Sequence, residues 1–152
     1  NENYVTENDV MMENMLDKNT GKPEEKTDKP DGNIDKKEQR AFIYIVKCQD
    51  GSLYTGITKN LKKRMGEHYH KTGRGAKYTR SRQVVEIMMV WEAVSYSSAA
   101  KLEYRIKRLA RKDKLKVIAS PEEGLKELVP GLSKETYIPR KECAMNVDKF
   151  LA

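Results

Sequence analysis

The sequence is short of what several kinds of protein need. Its 152 residues include two cysteines, Cys48 and Cys143, far apart in the chain, and these form neither a disulfide framework nor the paired spacing of a zinc site. A reducing, cytoplasmic setting is expected. No run of about 18 apolar residues occurs, so no segment is suited to cross a bilayer as a helix. Apolar residues make up 38% of the chain, low for a polypeptide packed along its whole length. Part of it is therefore expected to stay unpacked.

What is present is charge, unevenly spread. Residues 1–39 carry 6 Lys and Arg against 11 Asp and Glu, residues 40–116 carry 19 against 6, and residues 117–152 carry 5 against 6. The segments hold −5, +13 and −1, which together give the net +7. A middle region this basic repels itself unless a polyanion is near, so nucleic acid is the expected partner. An anionic membrane surface is second, and weaker, because the basic residues do not lie opposite one continuous apolar helix face.

The first forty residues are polar, with Pro, Gly, Asn and Lys scattered through them, and read as a disordered tail over 1–40. From Phe42 the character changes. FIYIVKC and SLYTGI are β-rich runs separated by turn residues, which marks a hairpin. Thr58 is placed to cap a helix with the apolar stripe Leu61, Met65 and Tyr69. VVEIMMVWEAV reads as a buried third strand, and Ser97 or Ser98 as the cap of a second helix with Ala99, Leu102, Ile106 and Leu109 at helical spacing, running to Ile118. The order β-β-α-β-α predicts a small α+β domain over 41–118, a three-stranded, mainly antiparallel sheet flanked by helices. A C-terminal extension, 119–152, contains one short helix signal from Ser120 to Val129.

The hairpin decides whether Tyr44 and Tyr54 can work together. A two-residue loop at Asp50-Gly51 would pair positions whose numbers sum to 101 and put the two rings on opposite faces. A three-residue loop, Gln49-Asp50-Gly51 with Gly51 left-handed in a bulge, gives pairs that sum to 100 and places both rings on one face, with Tyr44 opposite Gly56. The three-residue loop is the expectation. On the first helix Arg64 and His68 share a face at i,i+4 beside the apolar stripe. They are either a solvated surface pair or a phosphate fork with a proton carrier. On the second helix Glu103 sits at the margin of the buried stripe. An ordinary ion pair with Lys107 at i,i+4 explains it, and so does a role as oxygen ligand to a hard divalent ion.

Taken together, IYIVKC, DGSLYTG, TKNLKKRMGEH, the basic connector GAKYTRSR and LEYRIKRL give a span from Phe42 to about Ile118 that resembles the GIY-YIG endonuclease family, specifically its small single-domain bacterial branch related to the nuclease domain of the excision-repair protein UvrC. The resemblance implies hydrolysis of phosphodiester bonds in nucleic acid, DNA first, with one Mg²⁺ or Mn²⁺. Glu103 would hold the metal, Tyr44 would help deprotonate the attacking water, Tyr54 and His68 would support the proton and phosphate network, and Arg64 would brace the scissile phosphate. Lys77, Arg80, Arg82, Arg105, Arg108 and Arg111 are candidates for contacts to the nucleic-acid backbone.

The sequence departs from the family pattern in three places. Phe42-Ile43-Tyr44 lacks the first glycine, the second motif reads Tyr54-Thr55-Gly56, and no asparagine follows Glu103 where many family members have one, about fifteen residues on. Asn146 lies too far along to replace it. A nucleic-acid-binding module with little cleavage, guided by a protein partner that supplies specificity, is the alternative.

Overall fold

The computed structural model describes residues 39–71, 82–132 and 135–152. The polar tail before residue 39 lies outside the described residues, as does the connector with Lys77 and Arg80. The first two strands, β1 (Ala41–Cys48) and β2 (Leu53–Thr58), form the hairpin. Its register is the three-residue one: Tyr44 pairs with Gly56 and Val46 with Tyr54. Gly51 takes φ 88°, Gly51 N donates to Cys48 O at 2.9 Å, and Cys48 N donates to Ser52 O at 2.9 Å. Asp50 locks the turn by accepting from Ser52 N at 3.0 Å and from Ser52 Oγ at 2.6 Å.

Helix α1 (Leu61–His70) follows, then β3 (Val84–Ala93). Both β2 and β3 pair antiparallel with β1, so they run in the same direction and the chain between them must cross a face of the sheet. Leu61 and Met65 of α1 accordingly pack with Tyr44, Val46 and Tyr54. After β3, helix α2 (Tyr96–Lys107) returns on the opposite face, where Ala99, Leu102 and Ile106 pack with Ile43, Ile45 and Trp91. Covered on both sides, β1 reads as an almost unbroken apolar run.

Three local expectations are corrected. Asn60, not Thr58, caps α1, accepting from Lys63 N at 3.0 Å, while Thr58 Oγ1 accepts from Asn60 N one step earlier at 3.1 Å. Ser95, not Ser97 or Ser98, caps α2, accepting from Ser98 N at 3.0 Å. The long second helix is two: it tightens at Arg108 and Leu109, extends at Ala110, and restarts as α3 (Arg111–Ala119). A straight helix over that span would be about 30 Å long and overrun the roughly 20 Å of β2. The break returns Val117 to the same core as Leu102.

The sheet has four strands, not three. Past α4 (Glu123–Leu128), strand β4 (Tyr137–Pro139) pairs antiparallel with β3, giving the order β2-β1-β3-β4. Glu92 of β3 fixes this addition: Arg40 Nη1 donates to its Oε2 at 2.5 Å, and Arg140 Nε to its Oε1 at 2.7 Å. Burial works against the Glu92 charge, but the two arginines prevail and hold its carboxyl below the usual range. The chain ends in α5 (Val147–Leu151), whose Val147 enters the core beside Met65. β2 is the edge strand on the side away from β4.

Candidate active site

The site forms at that β2 edge. Alternation along the hairpin puts Tyr44 and Tyr54 on the α1 face with ring centroids 6.2 Å apart, edge to face. His68 completes a triangle, 5.8 Å from Tyr44 and 5.7 Å from Tyr54. The Tyr44 ring reaches over Gly56, where a Cβ would stand 2.6 Å from Cζ and collide with Oη. Gly56 is therefore the notch that lets the phenol extend toward the edge.

Arg64 and His68 lie inward, 8% and 1% exposed, so the solvated-surface reading of this pair is set aside. Tyr44 Oη stands 3.0 Å from His68 Nε2, and Arg64 Nε donates to the same oxygen at 3.4 Å. The guanidinium can only donate, and the Tyr44–His68 bond runs from the phenol to Nε2 when the imidazole carries its proton on Nδ1, or from Nε2–H to the phenol in the other tautomer. Burial, then the neighbouring Arg64 charge, lowers the His68 pKa to about 3, so the ring is neutral near pH 7. Burial also raises Tyr44 above its ordinary value of 10.0, against the pull of Arg64 and with a push from Glu103. Tyr44 is a phenol, not a phenolate, in the unliganded chain. Burial opposes the Arg64 charge, but the Tyr44 and Tyr54 oxygens and Glu67, at 3.0 Å from Nη1, raise its pKa and keep it a cation.

Glu103 arrives from the other layer. Its helix neighbours Leu102 and Ile106 pack on the far face of the sheet, yet its charge is felt at Tyr44. Lys107, one turn on, brings Nζ to 3.5 Å from Glu103 Oε2 and 5.9 Å from the centroid of the Tyr54 ring. Because β2 is an edge strand, two adjacent positions of α2 can reach past it to the tyrosine face. Sequence reasoning read Lys107 only as an ion-pair partner. Its i,i+4 spacing from Glu103 was the available signal, and nothing in the sequence reveals that the pair turns into the pocket.

The structure thus brings Tyr44, Tyr54, Arg64 and His68 into contact and carries Glu103 within electrostatic reach of Tyr44. The remaining described candidates sit elsewhere. Arg82 braces the hairpin tip, its Nε 2.8 Å from Asp50 Oδ2. The Arg105 guanidinium lies over Gly131, where a Cβ would approach its nitrogens to 2.6 and 2.7 Å. Arg108 stacks 4.9 Å from the centroid of Tyr104, and Arg111 opens α3. Lys77 and Arg80 fall outside the described residues. Asn146 heads α5 and bridges to Glu86 of β3, on the far side of β1 from the β2 edge.

The described residues contain no cluster of three His, Cys, Asp or Glu able to cage a metal. A single buried carboxylate, with the imidazole nitrogen already bonded to a phenol, does not suit zinc. It suits a hard divalent ion that keeps most of its water and takes one protein oxygen and a substrate oxygen. The residues present fit such an ion at Glu103.

A buried phenol–imidazole–guanidinium cluster with a carboxylate in electrostatic reach, at the rim of a small antiparallel sheet in a basic domain, is the most concentrated set of chemistry-bearing side chains among the described residues. The profile of the GIY-YIG catalytic domain matches residues 40–116, and the chain belongs to that family. Over 86 residues it is 45% identical to a UPF0213 protein of Oceanobacillus iheyensis, covering 57% of this chain and 98% of that protein. A UPF0213 protein of Fusobacterium nucleatum is 40% identical over 87 residues, 57% of this chain and 85% of its own. One from Staphylococcus saprophyticus is 47% identical over 78 residues, 51% and 93% respectively. No solved structure matches. Among the described residues no helix is long and apolar enough to cross a membrane.

Proposed function

We propose that this protein is an endonuclease that hydrolyses phosphodiester bonds in DNA with the help of one Mg²⁺ or Mn²⁺. One observation supports the reading: Tyr44, Tyr54, Arg64 and His68, drawn from a hairpin and a helix, cluster at one edge of the sheet, with Glu103 of a second helix close enough for its charge to act on Tyr44. A scissile phosphate beside Tyr44 would have the Arg64 guanidinium to balance the charge that builds on its oxygens. The attacking water would give its proton to the Tyr44 oxygen as the phenol proton passes to neutral His68 Nε2, 3.0 Å away. The water oxygen forms the new bond to phosphorus and the bond to the leaving deoxyribose oxygen breaks. In the unliganded chain burial and the Arg64 charge hold His68 neutral, with a pKa of about 3, so the transfer relies on the negative charge of the bound phosphodiester to raise the imidazole's affinity for the proton. A divalent ion held by Glu103 would stabilise charge on the leaving oxygen.

The test is incubation with supercoiled, branched and single-stranded DNA and either metal. Wild type is expected to cut at least one substrate, and Tyr44→Phe and Glu103→Ala to lose about 100-fold or more of the rate. Identical products from wild type and Glu103→Ala would end the nuclease reading. The non-cleaving binding module is favoured by one fact, the Glu103–Lys107 ion pair at 3.5 Å, which places a cation beside the carboxylate without any metal.

A further inference from the structure

That ion pair is unusual in where it lies. An i,i+4 lysine normally lets its stem lie along the helix and keeps its ammonium in water. Lys107 is 3% exposed, and its Nζ, though 3.5 Å from Glu103 Oε2, makes no hydrogen bond to a described residue. An ammonium carries three donors and is costly to bury. Its place is fixed by the carboxylate on one side and the Tyr54 ring on the other.

Building on the nuclease reading above, we propose that Lys107 is the resting counter-ion of Glu103, occupying the position of the divalent ion, and that metal binds only by displacing it. Two cations cannot share one carboxylate at this range without strong repulsion in a pocket of low dielectric. The described residues hold no cluster of three ligating side chains to offset that repulsion, and Glu67 is already paired with Arg64 at 3.0 Å. Metal alone should therefore bind weakly. The displaced ammonium needs an oxygen, and a phosphate oxygen of the bound strand supplies one. Nucleic acid and metal then favour each other reciprocally, with Lys107 passing from carboxylate to phosphate.

The experiment is a Mn²⁺ titration of nucleic-acid-free protein, followed by the electron paramagnetic resonance of the free ion. Lys107→Met and Lys107→Gln are compared with wild type and with the double variant Glu103→Gln/Lys107→Met. Lys107→Gln keeps one donor for the carboxylate should Lys107→Met fold poorly. Both single variants are expected to bind Mn²⁺ about tenfold or more tightly than wild type, with a larger rise in Tm on adding Mn²⁺. The gain should vanish in the double variant. Single variants that bind no more tightly than wild type overturn the proposal, as does a gain that persists without Glu103. No cleavage is read, so the two ideas separate. A wild-type chain that never cuts DNA but shows this order of affinities loses the nuclease reading and keeps the counter-ion. Glu103-dependent cutting with Mn²⁺ affinity indifferent to Lys107 does the reverse.

Discussion

The Tyr44 ring lies across the backbone of Gly56, its partner in the hairpin register, so closely that a Cβ at position 56 would stand 2.6 Å from Cζ. The obstacle is a buried ring hemmed in by His68 and Arg64, not the tip of a flexible chain. Gly56→Ala should therefore displace the phenol, cost about 1–3 kcal/mol of stability and abolish cleavage. Gly66, in the middle of α1, has nothing within 4 Å of its built Cβ. Gly66→Ala should stabilise by about 0.5–1 kcal/mol through helix propensity and leave cleavage intact. Urea denaturation of the two variants checks the pair, and equal effects would contradict the close approach.

His68 makes stability depend on pH. Its folded pKa, about 3, lies below its ordinary value of 6.5, so the unfolded chain binds this proton more readily. The contribution of His68 is complete above the unfolded pKa and is lost as pH falls from about 6.5 toward 3, by at most about 1.4 kcal/mol per pH unit. Denaturant titrations at pH 7, 6 and 5 should show wild type weakening more steeply than His68→Gln. Parallel slopes would mean that the imidazole is not buried neutral.

Tyr44→Phe separates packing from hydrogen bonding. The ring stays, but His68 Nε2 and Arg64 Nε lose a shared partner inside a buried pocket. Losing one buried hydrogen bond at each group costs about 1–3 kcal/mol. Tm should fall while the fold, read by circular dichroism, is unchanged. A variant as stable as wild type would show that Tyr44 Oη is not the hub of the cluster.

Glu92 anchors the C-terminal strand through Arg40 and Arg140. Arg140 N also donates to Val90 O at 2.8 Å, alongside β4. Arg140→Ala should speed exchange of the Tyr137 and Ile138 amides and of the amide at position 140 while the β1–β2 hairpin keeps its protection. Glu92→Ala should cost up to about 1 kcal/mol, since the two guanidinium groups it leaves facing each other are more than a third exposed and screened by water. Uniform exchange in Arg140→Ala would indicate that β4 is held by other contacts.

Much of the site could be read from the chain because local rules fix it. Asp50 and Gly51 select the turn, the turn selects the register, and a register with period two places Tyr44 and Tyr54 on one face. The same rules fail at the helix caps, where Thr58, Asn60, Ser95, Ser97 and Ser98 are all competent and the choice falls to the chain path. They fail again at Leu109, where the apolar spacing continues but the helix itself ends and restarts at Arg111. The strand Tyr137–Pro139 is only 3 residues long, too short to carry a periodic signal, and exists because β3 offers it an open edge.

The sequence by itself determined the basic middle, the hairpin register, and the faces on which Arg64, His68 and Glu103 would stand, since charge count and backbone period are properties of the linear chain. Only the tertiary structure decided that Arg64 and His68 turn inward, that β4 and α5 join the domain, and that Glu103 and Lys107 reach past β2 to the tyrosines. Those outcomes depend on which face of the sheet each helix covers and on which strand is left at the edge, and no local pattern encodes either.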